Sequence, residues 1–413
     1  MQRRYLGTLS EFLWALAGWV LLWPLTRIVP RRATRIVFRG RDDGKFLDNC
    51  KHLFVEAQAS GMDAVFLARD RDLCSRIRAL GGKAEDAHSA AATWTWLRAG
   101  TIVVDNVDWL RGMRFPASRG ARIVQLWHGI PLKQVQLGRI AERSARQPRW
   151  ERMAFRVYLK VVGRLEPTTW FLSTSRLVTE RAFAGSFRYR HVSHAGYPRN
   201  DVLFESTRPL AELGVDSRAV AALDAHLASG GGKVVLYAPT FRESLEDPFA
   251  AGRIDLHALS EAAERLHLLI LVKLHPWMQG RVRSGELPGI AFVSPESDAY
   301  PLMRRVDALL TDYSSIFFDF LLLDRPVLFF PYDLDTYLAD ERPMYFDYAQ
   351  MTPGPKAMRM EDLVAELEKL ARGADAWATE RARVRHTVFD DVRPGAGKRL
   401  LADLFPDSGD HAL

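Results

Sequence analysis

Ala308-Leu309-Leu310-Thr311-Asp312-Tyr313-Ser314-Ser315-Ile316-Phe317-Phe318-Asp319-Phe320 is an apolar strand-like run, a small polar turn and a second apolar run. Strand, turn and helix in that order are how an α/β fold turns backbone N–H groups toward a phosphate. Ser314 and Ser315 offer two hydroxyls at the turn, and a helix N-terminus there adds about half a positive charge. The stretch predicts a nucleotide or phosphate site that needs no metal.

The same alternation extends on both sides. Toward the N-terminus, Ile36-Val37-Phe38, Ala64 to Ala68, Thr101 to Asp105 and Arg122 to Trp127 read as strands, with Asp48 to Ala59 as a helix. A second series follows the Gly230-Gly231-Gly232 linker: Val234 to Ala238, Leu268 to Lys273, Ala291 to Ser294, Ala308 to Thr311 and Pro326 to Phe330. Short apolar strands separated by helices imply parallel sheets. With 413 residues, the chain exceeds one ordinary core, so two α/β domains are expected, their strand ends facing a shared cleft.

The net charge of +7 suggests nucleic acid until it is located. Residues 1 to 41 hold eight arginines against Glu11, which accounts for all of it and leaves 49 basic and 49 acidic residues elsewhere. Between those arginines, Phe12 to Leu25 is uncharged and carries Trp14, Trp19 and Trp23. Fourteen residues fall short of the roughly 20 that cross a bilayer, and Pro24 interrupts the end. A monotopic, interfacial segment on an anionic membrane is expected, with no nucleic-acid partner. A signal peptide lacks a small-x-small cleavage site; a buried core helix is the other alternative. The basic amphipathic pattern of Arg149, Arg152, Arg156 and Lys160, beside Trp150, Met153 and Val157, fits either the same surface or an ordinary helix packed on the core. Cys50 and Cys74 form no disulfide framework or ligand set.

Trp127-His128-Gly129-Ile130-Pro131 ends a strand of the first half, and Lys273-Leu274-His275-Pro276 ends one of the second. Paired histidines at two facing strand ends suit a base on an acceptor and a stabiliser of phosphate on a donor. Tyr237-Ala238-Pro239-Thr240-Phe241-Arg242 adds a hydroxyl and a guanidinium, and Arg199 in Gly196-Tyr197-Pro198-Arg199-Asn200-Asp201 could reach the cleft. No P-loop, Gly-x-Gly-x-x-Gly or Gly-x-Ser-x-Gly element is present. His191 and His194 lack companion ligands, and no dedicated metal site is evident, though a divalent ion remains compatible.

Taken in order, these motifs resemble the CDP-glycerol glycerophosphotransferase family, the teichoic-acid primases and polymerases and their capsule-building relatives. The resemblance continues through Arg325-Pro326, Phe330-Pro331-Tyr332-Asp333, Tyr337, Arg342 and Tyr345-Phe346-Asp347. It reaches back to Asp48-Asn49 and departs at Pro343, where the family usually has glycine. It implies a GT-B architecture: a membrane-associating segment over 1–33, a Rossmann-like acceptor domain over 34–228, a Rossmann-like donor domain over 229–385, and a C-terminal helix over 386–413 that could pack back on the first domain. By the same resemblance, His128 is the general base and His275 stabilises phosphate. Ser314, Ser315, Thr240, Arg199 and Lys273 would hold the diphosphate, and Asp319 the CDP-alcohol. Trp127, Gly129, Ile130, Pro131, Pro239, Arg242 and Leu274 complete the expected donor site. The implied reaction moves glycerol phosphate from CDP-glycerol, or ribitol phosphate from CDP-ribitol, to a lipid-linked saccharide or glycerophosphate acceptor at the cytoplasmic face of the membrane. A GT-B glycosyltransferase using a nucleotide sugar is the alternative.

Overall fold

The structure, a computed structural model, describes residues 2–138, 140, 148–205, 208–240, 249, 252–274, 287–340 and 343–406. Seven strands form the first sheet: β1 (Arg32–Arg39), β2 (Ala64–Ala68), β3 (Ala84–Asp86), β4 (Ala99–Val104), β5 (Arg122–Gln125), β6 (Thr168–Leu172) and β7 (Tyr189–Ser193). Their order is β3-β2-β1-β4-β5-β6-β7. Five form the second: β8 (Val234–Tyr237), β9 (Leu269–Val272), β10 (Ile290–Phe292), β11 (Ala308–Thr311) and β12 (Val327–Phe329), in the order β10-β9-β8-β11-β12. All pairings within the two sheets are parallel. β2, β8, β9 and β11 are buried along their whole length, which is why they read as unbroken apolar runs.

Strand order reverses between β1 and β4 in the first sheet and between β8 and β11 in the second, and a doubly wound fold binds ligands outside such switch points. The stretches following β5, β8 and β11 at these points bear candidate residues, while Lys273 and Leu274 follow β9 and Arg199 lies beyond β7. One buried cluster joins the halves, taking Trp127 and Ile130 from the first and Phe317 and Tyr337 from the second. The helix Ala396–Leu404 packs on first-half elements: Asp201 Oδ1 accepts from the N–H groups of Gly395 and Ala396 at 2.8 Å each, and Arg122 reaches the Leu404 carbonyl at 3.1 Å.

The N-terminal helix Gln2–Leu21 lies against the short helix Arg114–Ala117 and the basic helix Arg149–Val161. Leu9–Ile28 is long and apolar enough to cross a membrane by length and composition, although Pro24 follows the end of the long helix. The three tryptophans divide. Trp14 is 55% exposed, whereas the Trp19 indole N–H donates to the Val161 carbonyl at 3.0 Å and its ring meets Phe115 edge-on. Trp23 is half-buried beside Trp19 under the Arg27 guanidinium. Trp19 therefore packs on the body, with its one donor satisfied inside the protein. On the basic helix, Leu159 is buried while Trp150, Met153 and Val157 are 68%, 69% and 55% exposed, beside exposed Arg149, Arg152, Arg156 and Lys160. Its apolar stripe thus faces outward, contrary to an ordinary surface helix.

Candidate functional site

β5 delivers Trp127-His128-Gly129 in an unusual backbone. Trp127 has φ +54, which a bulky residue rarely adopts, and Gly129 has φ +138, where a side chain would be strained. Four bonds hold the turn. Trp127 N donates to Gln125 Oε1 at 3.1 Å, and Asn49 Nδ2 donates to the Trp127 carbonyl at 2.9 Å. Arg199 Nη1 donates to the His128 carbonyl at 2.8 Å, and His128 Nδ1 meets the Asp105 carbonyl at 3.1 Å. A carbonyl only accepts, so that contact puts the proton on Nδ1 and leaves Nε2 as the lone-pair nitrogen.

His128 is half-buried. Desolvation, reinforced by Arg41, brings its pKa down to about 4, against the opposing pull of Asp48. The ring is neutral at physiological pH, as a base must be. Behind it, Asp105 is fully buried with no hydrogen-bond partner on either oxygen among the described residues, and burial with the nearby Asp48 pushes its pKa well up.

Across the cleft, a side chain built on Gly129 would approach Arg199 Nη2 at 3.0 Å and Ser315 Oγ at 3.4 Å. Ser315 is the N-cap residue of the helix Ile316–Phe320, and both Ser314 and Ser315 are half-buried. The turn of the first half and the phosphate turn of the second therefore face one another at van der Waals range. The β8 and β11 ends are laced together: Thr240 N donates to Asp312 Oδ1 at 2.8 Å and Thr311 Oγ1 to the Ala238 carbonyl at 2.7 Å. Lys273 Nζ donates to the Pro295 carbonyl at 2.9 Å, and burial lowers its pKa to about 8.

Two expected donor contacts are occupied differently. The Arg199 guanidinium bonds Asp48 with one nitrogen and Asp319 with the other, and all three side chains are buried. Asp319 also accepts from Tyr300 Oη at 2.6 Å and Asn200 Nδ2 at 3.0 Å. Arg199 and Asp319 thus form an interdomain clamp against Gly129, with their charges spent on each other rather than turned to a ligand. Trp127, Ile130, Pro131 and Leu274 are buried and shape the site from behind. Pro239 and Thr240 border it half-buried. His275, Arg242 and Arg342 lie outside the described residues.

Other elements had no sequence signal. Gln134 N donates to the Pro343 carbonyl at 2.9 Å and Tyr345 N to the Leu132 carbonyl at 2.7 Å, a cross-domain ladder around Lys133 and Met344. Only the carbonyl of residue 343 is used there, so proline in place of glycine costs no bond. Tyr300 and Gln125 were likewise unmarked. His194 Nε2 meets Thr179 Oγ1 at 3.0 Å, a structural role. No three His, Cys, Asp or Glu side chains converge on a possible ion site among the described residues.

Two parallel, doubly wound sheets define a GT-B fold. The chain belongs to the CDP-glycerol:poly(glycerophosphate) glycerophosphotransferase family, whose model matches residues 21–402. It is 30% identical over 258 residues to the teichoic acid poly(glycerol phosphate) polymerase of Bacillus subtilis (strain 168), covering 60% of this chain and 32% of that protein. It is 28% identical over 306 residues to the teichoic acid glycerol-phosphate transferase of Staphylococcus aureus (strain NCTC 8325 / PS 47), covering 68% and 70%. With the ribitol-phosphate polymerase TarL of the same strain it shares 25% over 302 residues, 70% and 48% of the two chains. The chain therefore spans from about a third to about two thirds of these relatives' lengths. Among solved structures, the wall teichoic acid polymerase TagF has a TM-score of 0.71 at 21% identity, over 98% of both chains, a likeness of fold.

Proposed function

We propose that this protein transfers glycerol phosphate from CDP-glycerol to a hydroxyl of a lipid-linked acceptor, releasing CMP, at the cytoplasmic face of a membrane. The observation that carries it is the neutral His128 with Nε2 free to accept a proton, next in sequence to the Gly129 turn that lies against Ser315. Nε2 takes the acceptor's proton as its oxygen attacks the phosphorus bearing glycerol, and the bond to CMP breaks in line. Ser314, Ser315 and the backbone at their turn, with Lys273, stabilise charge spreading over the phosphoryl oxygens. CDP-ribitol fits the same diphosphate contacts, since several relatives are ribitol-phosphate polymerases.

The decisive assay follows nucleotide release with a lipid-linked acceptor. CMP is expected from a CDP-alcohol and no UDP from UDP-sugars; the reverse result would establish the glycosyltransferase alternative.

The outward residues Leu13, Trp14, Val20, Trp150, Met153 and Val157, ringed by arginines, support attachment to an anionic surface. Because Trp19 and Tyr158 tie the N-terminal helix to the body, deleting the helix would damage the fold. Surface substitutions are the cleaner test. Val20→Glu with Met153→Glu is expected to move the protein from anionic vesicles to the supernatant in a flotation assay, with its thermal midpoint unchanged. Undiminished vesicle binding would refute the attachment.

A further inference from the structure

The N-terminal helix does not close fully onto the body beside it. An open groove of about 460 Å³ runs there, lined by Trp14 and Leu22 of the N-terminal segment and by Ala92 and Trp96 of the helix Ala90–Leu97, with Met113 and Arg114. Its volume lies in the range of about 300–1,000 Å³ typical of ligand sites. Trp14 lines the groove and is also exposed, so the groove opens on the outward face of the membrane-type helix. A tryptophan at the open lip suits a mouth at headgroup depth.

The Arg114 end is polar, and its charges do not balance. Arg39 and Arg114 approach the same oxygen of Asp43, at 3.0 and 3.8 Å. Arg39 is 2% exposed, and its Nη1 has no hydrogen-bond partner among the described residues. The other carboxylate nearby, Asp108, is taken by Arg111 at 3.1 Å and by Asn106. Two guanidiniums sharing one carboxylate leave a net positive charge at the Arg114 end for an anion. Asp43 belongs to the same short segment as Arg41, whose Nη1 lies 3.7 Å from Asp48 Oδ2, and Asp48 in turn bonds the Arg199 that donates to the His128 carbonyl. One segment thus connects the charged end of the groove to the His128 turn.

We propose that this groove holds the hydrocarbon tail of the lipid that carries the acceptor, with the lipid phosphate at Arg114, whose one carboxylate is shared with Arg39. The proposal rests on the lipid-linked acceptor of the preceding reading. A tail seated there would fix the lipid phosphate beside the segment that leads to the His128 turn, limiting the positions the acceptor hydroxyl can sample.

The test uses the full-length protein on vesicles, with a long-chain alkyl phosphate bearing a diazirine at its tail. Labels on Trp96 and Met113 are expected, and lipid-linked acceptor should compete them away while equimolar phosphatidylglycerol should not. Thr93→Trp fills the groove from its exposed rim, and Ala92→Leu narrows it from inside. Either is expected to reduce Trp96 labelling about tenfold and raise KM for the lipid-linked acceptor about tenfold, with kcat on a short-chain acceptor unchanged. Labelling confined to Val20 and Trp150, or equal competition by phosphatidylglycerol, overturns the proposal. If nucleotide release fails with every acceptor while the competed Trp96 label stands, the tail site stands and the activity reading falls.

Discussion

Replacing His128 by alanine is expected to slow CMP release by about 10²- to 10⁴-fold, the usual contribution of a positioned general base. Donor affinity should change little, since the proton it takes comes from the acceptor. The pH profile gives a second, independent readout. His128 acts only when neutral, and its pKa is lowered to about 4, so activity requires a pH above that value. In the wild type, kcat/KM should stay flat from about pH 7 down to about 5, falling below that as His128 protonates and above it as Lys273 loses its proton near 8, whereas an ordinary histidine would titrate near 6.5. Arg41 is one cause of the depression, so Arg41→Gln should move the acid limb upward. An acid limb near 6.5 in the wild type, or near-normal turnover in His128→Ala, would remove His128 from the reaction.

Much of this arrangement was legible because burial writes itself into short strands. β2 is wholly buried and uniformly apolar, and β11 is wholly buried with a single polar residue, Thr311, at its end, so the sequence marks both. β7 runs Tyr-Arg-His-Val-Ser with exposed middle residues, and β3 is Ala-Glu-Asp; neither carries a pattern that distinguishes it from a loop. Within the site, the strand-end position of His128 was readable from the apolar run before it and from the turn that Gly129 and Pro131 make just past it. The employment of Arg199 was not, since its partners lie 151 and 120 residues away in sequence. Composition identifies a charge but not what neutralises it. The tryptophans make the same point in apolar terms: Trp14 and Trp19 look alike in an uncharged run, and only the Val161 carbonyl decides that one faces inward.

Arg199→Ala is expected to be the most destabilising single change in the cleft, by about 3–5 kcal/mol, because it strands Asp48 and Asp319 in a buried setting. Burial alone would raise the Asp48 carboxyl, but Arg199 and Arg41 outweigh it and hold its pKa below the usual value. A carboxylate depressed in this way contributes stability above its unfolded pKa of about 4 and loses it as pH falls through the folded value. In Arg199→Ala the largest opposing charge is gone, so that contribution should vanish and the variant should gain stability as pH is lowered toward 5. Urea midpoints at pH 5 and 7.5 would measure both effects. The triple variant Asp48→Asn, Arg199→Met, Asp319→Asn removes the three buried charges and leaves only the partly exposed Arg41, so it should recover most of the lost stability, since it is the unpaired carboxylates that cost. Turnover should not recover with it, because Arg199 also holds the His128 carbonyl at 2.8 Å. If instead Arg199→Ala unfolds like the wild type and raises only the KM for the CDP-alcohol, the guanidinium belongs to the donor diphosphate, and the clamp opens when donor binds.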